Sequence, residues 1–506
     1  MDTFLQKHAD KINGHLSCFD RMIFKGYLPF QHSTALSIFL YGKKLLYKQF
    51  MDFAKQQAEV LKAHAQKLAE KQKRPFEYLN GYVRKEDKAR EIARRDKVKK
   101  GLVCVFSTLE MAASFALRYG KNKPRLERAW RKCLHLYCYF IDPELGLIHV
   151  RLQTFFPFTI QVYANGHEWL EQQLDRKKIA YRKADNAFSW IEDCKRAQDI
   201  ADSLPRKNWV GLLDSLAKIV NPLLKNVMSP HQYYWVTAQA ELSTDVMFKS
   251  REALQPLYQK LLKHNVLCFG AEDILTFLGR KLHPCFKGEV GSDLKTRALG
   301  ARIKHRMKAN WIKMYDKQGL VLRIETVIND PREFKIRKTC ERKGKQVMAW
   351  VPLNKSVVHL DAYARIALKA NRLYLEAMAV IEDPSATLKT LDRIAEPAKR
   401  NDRNVKGFNP VARNDVKLFK SVLRGEHVLR GFRNKDVRQK LFGNSPDQMK
   451  KDSARVTRCL NRLHAHQLIA KIPRSQRWRV TDLGNKMMSA SIHLREETLP
   501  QLLQGA

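Results

Sequence analysis

Charge is the feature that most restricts how this chain can fold. The 506 residues include 94 Lys and Arg against 51 Asp and Glu, a formal net charge of +43 at pH 7. Because like charges repel in a compact state, this excess adds nothing to the stability of a globular fold. A polyanionic partner offsets the repulsion, and nucleic acid is the polyanion that this magnitude favours. The alternative is a solvated basic surface without a dedicated ligand, although solubility alone needs far less charge.

Size and composition predict several packed domains. A hydrophobic fraction of 44% with 24 Phe is ample for folded cores, and the length indicates roughly three domains. No apolar run approaches the ~20 residues that cross a bilayer, and the N-terminus lacks the apolar region of a secretory signal. The nine cysteines are odd in number and form no Cys-x-x-Cys pair, which predicts reduced thiols. We therefore expect a cytoplasmic, nucleoid-associated protein with no membrane partner.

The residue pattern predicts a multidomain α+β fold, in which a mixed sheet-and-helix body precedes a C-terminal winged helix-turn-helix. The chain has no internal repeat. The expected regions are an N-terminal α/β domain with basic helices and a polar-faced hairpin (1–165), a mainly helical region (166–270), a β-rich basic domain closed by a long helix (271–382), a linker (383–412), the winged helix-turn-helix (413–494) and a tail (495–506).

A hairpin is predicted over residues 131–154, where two alternating runs flank Asp142-Pro143-Glu144-Leu145-Gly146. One face is expected to carry Cys133, Tyr139, Gln153 and the candidate nucleic-acid contacts His135, Tyr137, His149 and Arg151. Such a face suits base stacking and phosphate binding. The alternative is a half-buried sheet whose polar groups satisfy one another.

Residues 301–329 are predicted to form three antiparallel strands with one apolar face and one charged face. The charged face is expected to carry Tyr315, Glu325 and five candidate nucleic-acid contacts: Arg302, Lys304, Arg306, Lys313 and Arg323. A tyrosine among cations is a candidate nucleophile toward a phosphodiester, and a nearby carboxylate is a candidate ligand for the metal that neutralises the developing charge. The alternative is an ordinary strand in which Glu325 pairs with Arg323 or Lys313.

Residues 413–494 predict a helix, a short helix, a longer helix, a basic hairpin and a further helix. This order resembles the winged DNA-binding domain of MarR-type regulators. The resemblance implies that the third helix enters the major groove and that the wing touches the DNA backbone or minor groove. The nucleic-acid contacts that it implies are Arg455, Arg458, Asn461 and Arg462 on the helix, and Arg474, Arg477 and Arg479 in the wing. The alternative is a winged helix that docks protein or binds RNA.

The segment Tyr315-Asp316-Lys317, followed by Arg323-Ile324-Glu325, resembles the Tyr-Asp-Lys…Arg-x-Glu segment of Rep-trans type replication initiators and relaxases. Those enzymes nick DNA through a tyrosine with a bound divalent metal. The resemblance implies that Tyr315 is the nucleophile and that Glu325 is a metal ligand. The whole chain also resembles a family of long, basic bacterial proteins of the mobile-element type, which supplies no mechanism.

Acidic side chains in a basic chain are candidates for metal ligation. Besides Glu325, the candidate ligands are Asp245, Glu289 and Asp293, with Asp20 as a weaker candidate of the same kind. Carboxylates suit Mg²⁺ or Mn²⁺, whose ligands come from distant strands, so spacing does not choose among them. Salt bridges to neighbouring Lys and Arg are the alternative for each. No organic cofactor is expected.

Two classes of function fit these features. The first is a metal-dependent DNA-nicking or DNA-cleaving enzyme of a mobile element, such as a replication initiator, a relaxase or a transposase-like protein. The second is a non-catalytic binder, either the protein partner of a structured RNA or a winged-helix transcriptional regulator. DNA is favoured over RNA as the partner, and charge alone does not distinguish the two.

Overall fold

The chain folds into two compact units, each assembled from segments that are distant in sequence. The computed structural model describes residues 1–80, 83–119, 124–280, 288–297, 300–342, 344–379, 388–400, 403–424, 427, 431–443 and 448–500. One unit, called the body unit, comprises Gly14–Met247 and Glu325–Leu368. The other, called the terminal unit, comprises Met1–Asn13, Phe248–Ile324 and Lys369–Ala506. Segments of the two units therefore alternate along the sequence.

The mixed α and β composition expected from the sequence is present. The strands are β1 (Ile12–Tyr27), β2 (Phe76–Tyr78), β3 (Gly101–Tyr119), β4 (Pro124–Asp142), β5 (Gly146–Gln153), β6 (Ile160–Asn165), β7 (Tyr181–Ala184), β8 (Ala187–Ile191), β9 (Tyr234–Phe248), β10 (Val290–Arg297), β11 (Gly300–Met307), β12 (Asn310–Lys317), β13 (Val321–Ile328), β14 (Lys335–Arg342), β15 (Lys345–Pro352), β16 (Ala398–Arg400), β17 (Arg403–Val405), β18 (Ile469–Lys471) and β19 (Trp478–Val480).

Helices cover much of the remaining described chain. The α-helices are α1 (Asp2–Lys7), α2 (Ser33–Gly42), α3 (Phe50–Lys71), α4 (Lys85–Arg95), α5 (Gly166–Arg176), α6 (Cys194–Ala201), α7 (Trp209–Val220), α8 (Arg251–Cys268), α9 (Ala271–Phe277), α10 (Leu360–Met378), α11 (Leu388–Ala395), α12 (Arg413–Val422), α13 (Asn434–Phe442), α14 (Met449–Ala465) and α15 (Asp482–His493). Among the described residues, no helix has both the length and the apolar composition that crossing a bilayer requires.

The body unit is built on a large sheet. Its strands follow the order β9, β1, β6, β5, β4, β3 and β2, with the second half of β13 beside β9. From β1 to β3 each neighbouring pair is antiparallel, and β2 joins β3 in parallel. Along β1, buried Met22 and Phe24 alternate with exposed Arg21 and half-buried Lys25, the pattern of a strand with one face toward a core.

The predicted hairpin over 131–154 is present as β4 and β5. Asp142 pairs with Gly146, and the Oδ1 of Asp142 accepts hydrogen bonds from the amides of Glu144 and Leu145, which closes the turn. The register aligns Tyr137 with Arg151, as the alternation predicts. β4 is longer than expected, because beyond the hairpin it continues to pair with β3.

Strand β9 lies in the region 166–270 for which the sequence predicts mainly helix. Nearly every side chain along β9 is buried or half-buried. A strand covered on both faces shows no alternation of apolar and polar residues, so its period does not distinguish it from a buried helix. The prediction for this segment needs correction, and the correction matters because β9 carries Glu241 and Asp245.

In the terminal unit, β10, β11 and β12 form an antiparallel meander, with the first half of β13 beside β12. Buried Ile303, His305 and Met307 alternate along β11 with Arg302, Lys304 and Arg306. The predicted one-sided charge therefore holds for β11. It does not hold for β13, whose eight residues are all buried.

Helices α12 to α15 and strands β18 and β19 occupy the segment where the sequence predicts a helix-rich module with a basic hairpin. The described part of the predicted linker 383–412 is more ordered than expected, since it contains α11 and the ribbon β16–β17. Ile394 and Phe408 of this stretch belong to the hydrophobic core that Phe419, Val456 and Leu460 also form. Because the residues around Pro397 and Pro410 are charged, the sequence pattern does not predict these two apolar core positions.

Phe156 lies at the centre of an aromatic cluster in the body unit. Its ring centroid lies 4.4 Å from that of Phe158 and between 5.5 and 6.0 Å from those of Phe30, Phe39, Phe50 and Phe53. The cluster joins α2 and α3 to the loop after β5, because the rings lie on each of these segments. Aromatic pairs at this spacing stabilise a core beyond their buried area.

We predict that Phe156→Ala lowers the free energy of unfolding by about 3–5 kcal/mol, because it leaves a cavity among five rings. Urea denaturation checks the value. Tyr41→Ala, at an 86% exposed position, is the control and should change it by less than about 0.5 kcal/mol. A loss below about 1 kcal/mol for Phe156→Ala would contradict the central place of this cluster.

Candidate metal centre

Three carboxylates meet where three neighbouring strands of the body-unit sheet lie side by side. Asp20 lies on β1, Glu241 on β9 and Glu325 on β13, and these three strands are neighbours in the order β13, β9, β1. One oxygen atom of each carboxylate lies within 4.8 Å of an oxygen of the other two. The side chains are buried, with 7%, 6% and 1% of their residue surface exposed. The three carboxylates can hold a metal ion between them.

Three buried carboxylates at this spacing repel one another strongly. At an effective dielectric constant near 20, each pair of charges 4.8 Å apart costs about 3 kcal/mol. A nearby cation, a shared proton or a bound metal ion removes this cost. The cluster is therefore suited to hold a cation, and all of its donor atoms are oxygen, which Mg²⁺ and Mn²⁺ prefer.

The guanidinium group of Arg21 interacts electrostatically with the three carboxylates. Burial pulls the pKa of the Arg21 guanidinium down, but Glu241, Tyr163, Asp20 and Glu325 outweigh this effect and leave the pKa above its usual value. Arg21 is itself an exposed residue of β1. A permanent positive charge that reaches solvent thus lies next to the buried carboxylates.

Two asparagine side chains orient Asp20. The Nδ2 of Asn165 donates to Oδ1 of Asp20 at 3.2 Å, and the Nδ2 of Asn186 donates to the same oxygen at 3.3 Å. The Oδ1 of Asn165 also caps α5 by accepting from the amides of His167 and Glu168. The carboxylate is therefore fixed to a helix terminus as well as to its own strand, as hydrogen-bonded metal ligands are.

His167 connects Asp20 with a fourth buried carboxylate. Its Nδ1 lies 3.6 Å from Oδ1 of Asp20, and its Nε2 lies 3.5 Å from Oδ2 of Asp245 and 3.3 Å from the hydroxyl of Ser243. Asp245 was a candidate ligand from the sequence. The structure places it behind His167, outside the three-carboxylate cluster.

A set of basic and aromatic side chains, here called the hairpin face, adjoins the cluster through Arg21, which is exposed, and Tyr163, which is buried; its other members are half-buried. The ring of Tyr163 stacks on His149 at 5.0 Å with an interplanar angle of 11°. Burial, then Arg151, Arg21 and Lys85, lower the pKa of His149 to about 4, so this imidazole is neutral at pH 7. The hairpin face is defined by Arg21, Lys25, Lys85, Tyr137, His149, Arg151 and Tyr163.

Several hairpin-face groups satisfy one another. Glu110 accepts hydrogen bonds from the Tyr137 hydroxyl at 2.7 Å and from Arg151 Nη2 at 2.6 Å. His135 is fully buried, and its Nδ1 lies 3.0 Å from the carbonyl of Cys133. Burial, then Arg151 and Lys355, lower the pKa of Lys25. Part of the predicted binding face is thus an internal network, while crowded cations remain along its edge.

The terminal unit carries a second basic surface along β11 and β12. Arg302 stands opposite Tyr315, Lys304 opposite Lys313 and Arg306 opposite Trp311. The Lys304 ammonium lies 4.2 Å from the centroid of Trp311. Burial, then the neighbouring Arg302, Lys313 and Arg306, lower the pKa of Lys304.

The other predicted residues of this region have different surroundings. Glu289, 82% exposed at its side chain, pairs with Arg306 at 2.8 Å, and Asp293 lies 3.8 Å from Arg302. Within the described part of the chain, neither belongs to a cluster of three ligands, so their carboxylates follow the salt-bridge alternative. Arg323 is fully buried and so is not part of an exposed surface.

The predicted contacts of the C-terminal segment divide into two groups. Arg455, Arg458, Asn461, Arg474 and Arg479 are exposed. Arg462 instead contacts Asp415 at 3.0 Å, donates to the carbonyl of Lys406 and lies over Phe408. Arg477 donates to the carbonyl of Gly431 at 2.9 Å. Arg462 and Arg477 stabilise the segment itself, because their guanidinium groups are engaged within it.

Three residues of the centre were missed by sequence reasoning: Arg21, His167 and Glu241. A signal for Glu241 exists, since the β9 sequence Tyr234–Phe248 contains Glu241 and Asp245 and no Lys, Arg or His. Because the chain is so basic, a strand that has two acidic residues and no basic residue indicates that the fold needs negative charge at that place. Comparison with protein-family models, curated proteins and solved structures gives no match.

We predict that Glu241→Gln and Glu325→Gln each weaken Mn²⁺ binding at least about tenfold, because each removes a charged oxygen ligand. Calorimetric titration measures the affinity. Mn²⁺ should raise the melting temperature of the unaltered chain but of neither variant. In EDTA the variants should be no less stable than the parent, since the substitution relieves repulsion.

Glu289→Gln is the matched control for these variants and should leave Mn²⁺ affinity unchanged, because Glu289 is exposed and paired with Arg306. Equal Mn²⁺ affinity in all four proteins would contradict a metal centre at the three carboxylates.

Proposed function

We propose that this protein binds nucleic acid, with DNA favoured, and cleaves phosphodiester bonds with a divalent metal held by Asp20, Glu241 and Glu325. The observation that carries the proposal is the buried carboxylate cluster beside solvent-reaching Arg21 in a chain of net charge +43. A purely structural cluster gains nothing from three like charges at this spacing. A site for metal and phosphate needs that negative charge beside an accessible cation.

The chemistry follows from the residues around the centre. A Mg²⁺ or Mn²⁺ ion held by Asp20, Glu241 and Glu325 would supply Lewis acidity toward a phosphate oxygen and would lower the pKa of a bound water. Arg21, an exposed cation beside the carboxylates, would stabilise the negative charge that develops on the phosphate. Asn165 and Asn186 hold Asp20 in one orientation, so this carboxylate does not reorganise when charge develops.

The two basic surfaces hold the polyanion in this proposal. Lys25 and Lys304 each have a lowered pKa, caused by burial and by neighbouring cations. Cations that lie this close repel one another, and phosphates that pair with them remove this repulsion. Binding of a phosphate backbone is therefore most favourable at these positions. The hairpin face and the β11–β12 surface are therefore the proposed tracks for the nucleic-acid backbone.

A tyrosine route is the second candidate mechanism. Tyr315 stands opposite Arg302, and the ammonium of Lys317 lies 5.9 Å from its ring centroid. The phenolate is the attacking form of a tyrosine nucleophile. Attack on a phosphodiester would form a 5′-phosphotyrosyl bond and release the 3′-hydroxyl. This route belongs to a nicking enzyme of a mobile element, a replication initiator or relaxase.

We further propose that residues 413–494 form a winged helix that locates a DNA site. Helix α14 would be the recognition helix, and the loop between β18 and β19 would be the wing. The exposed side chains of Arg458, Asn461, Arg474 and Arg479 support this assignment. A non-catalytic regulator would use the same segment, and an RNA partner would use the basic surfaces without the metal centre.

We predict that Glu325→Gln abolishes Mg²⁺- or Mn²⁺-dependent cleavage of DNA at the three-carboxylate centre, while Glu289→Gln retains it. Gel analysis of labelled single-stranded and duplex substrates measures the products. Unchanged cleavage by Glu325→Gln, or no cleavage by the unaltered chain on any DNA with either metal, would contradict the enzyme proposal and favour the non-catalytic binder.

Tyr315→Phe separates the two routes. If metal-activated water is the nucleophile, the variant keeps cleavage and no covalent protein–DNA adduct forms in either protein. If Tyr315 is the nucleophile, the variant loses both the adduct and the cleavage. Denaturing gels of reactions with end-labelled DNA detect the adduct.

We predict that Arg458→Ala weakens duplex DNA binding, because Arg458 is an exposed cation of α14. Loss of a base contact would cost about 1–3 kcal/mol, a factor of about 5–150. Fluorescence anisotropy with duplex DNA selected by the protein measures the effect. Arg176→Ala, at an exposed residue of α5, is the control, and an equal loss in both variants would contradict recognition by α14.

A further inference from the structure

The ribbon β14–β15 is a two-stranded sheet of its own within the body unit. One of its faces is half-buried, with Ile336, Cys340, Ala349 and Val351. The residues of the opposite face are all exposed and include both charged and large apolar side chains. This open face consists of Lys335, Arg337, Thr339, Glu341, Gln346, Met348, Trp350 and Pro352.

Trp350 and Met348 are the conspicuous members of the open face. Trp350 is 64% exposed and Met348 is 55% exposed. Trp350 stands opposite Arg337, and Met348 stands opposite Thr339, whose hydroxyl lies 3.1 Å from the Met348 sulfur. Large apolar side chains this exposed, side by side on one face, mark a binding surface.

We propose that the open face binds single-stranded DNA, with the indole of Trp350 stacked on an unpaired base and Arg337 and Lys335 paired with the flanking phosphates. This inference rests on the proposed function and names its substrate: an unpaired segment of DNA. Stacking between bases and aromatic rings accepts any base, because every base presents a π-face.

Charge and chemistry favour this occupant over others. An apolar protein partner would strip water from Arg337 and Lys335 and leave them without counter-charge, whereas a polyanion pairs with both. In duplex DNA the base faces are already stacked, so the indole would meet only groove edges. An unpaired base offers its face to Trp350 and its phosphate to Arg337 at the same time.

Trp130 provides a matched control elsewhere in the body unit. It is 71% exposed, on a long β-hairpin, as Trp350 is. Across the strand from Trp130 lies Ala113, where Trp350 has Arg337. The two indoles match in exposure and differ in the residue across the strand pair, while Trp130 has Arg128 and Lys132 two positions away along its own strand.

The test measures binding of fluorescein-labelled oligo(dT) to the full chain by anisotropy, in EDTA so that no cleavage occurs. The salt concentration is raised until the phosphate contribution is small and the stacking contribution dominates. We expect Trp350→Ala to weaken binding about tenfold, and Trp350→Phe and Trp130→Ala to stay close to the unaltered chain. Binding of duplex DNA should be the same in all four proteins.

Different results of this experiment would contradict different parts of the account. Unchanged binding by Trp350→Ala, an equal loss in Trp130→Ala, or a larger effect on oligo(U) than on oligo(dT) would overturn this assignment and leave the metal centre untouched. If the unaltered chain ignores every oligonucleotide, the proposed function itself fails. If Trp350→Ala loses binding while no DNA is ever cleaved, the ribbon assignment stands and the enzyme proposal falls.

Discussion

Repulsion among Asp20, Glu241 and Glu325 is the constraint on which the rest of the structure depends. The three carboxylates are buried within 4.8 Å of one another in the central strands of a sheet, a position that an apolar core would normally fill. Burial of like charges persists only where cations compensate it. Arg21 supplies one such charge, and the oxygen-only donor set is suited to a divalent metal as another.

The centre has no local sequence motif because its residues come from three separate stretches of chain. Positions 20, 241 and 325 meet only when β1, β9 and β13 align. The same alignment explains why the body unit is discontinuous: Glu325 belongs to it, although the preceding 77 residues, 248–324, belong to the terminal unit. Binding of a metal at this centre would therefore stabilise the whole alignment rather than one loop.

Local chemistry predicted the local structure well. The turn residues between Asp142 and Gly146 predicted the hairpin, and the alternation of β11 predicted its basic face. Glu325 and, more weakly, Asp20 were recognised as candidate ligands from their type and setting. Glu241 was missed because β9 is buried on both faces and lacks a strand period. Arg462 and Arg323 were misread, since charge alone does not reveal an arginine engaged within its own fold.

The most direct measurement is an anomalous difference map from crystals of the full chain grown with Mn²⁺. A metal centre of the kind proposed gives a peak coordinated by carboxylate oxygens of Asp20, Glu241 and Glu325, and that peak is absent from crystals of Glu241→Gln. A map without density among these three side chains at saturating Mn²⁺, with Arg21 turned into the cluster as its only counter-charge, would contradict the metal centre.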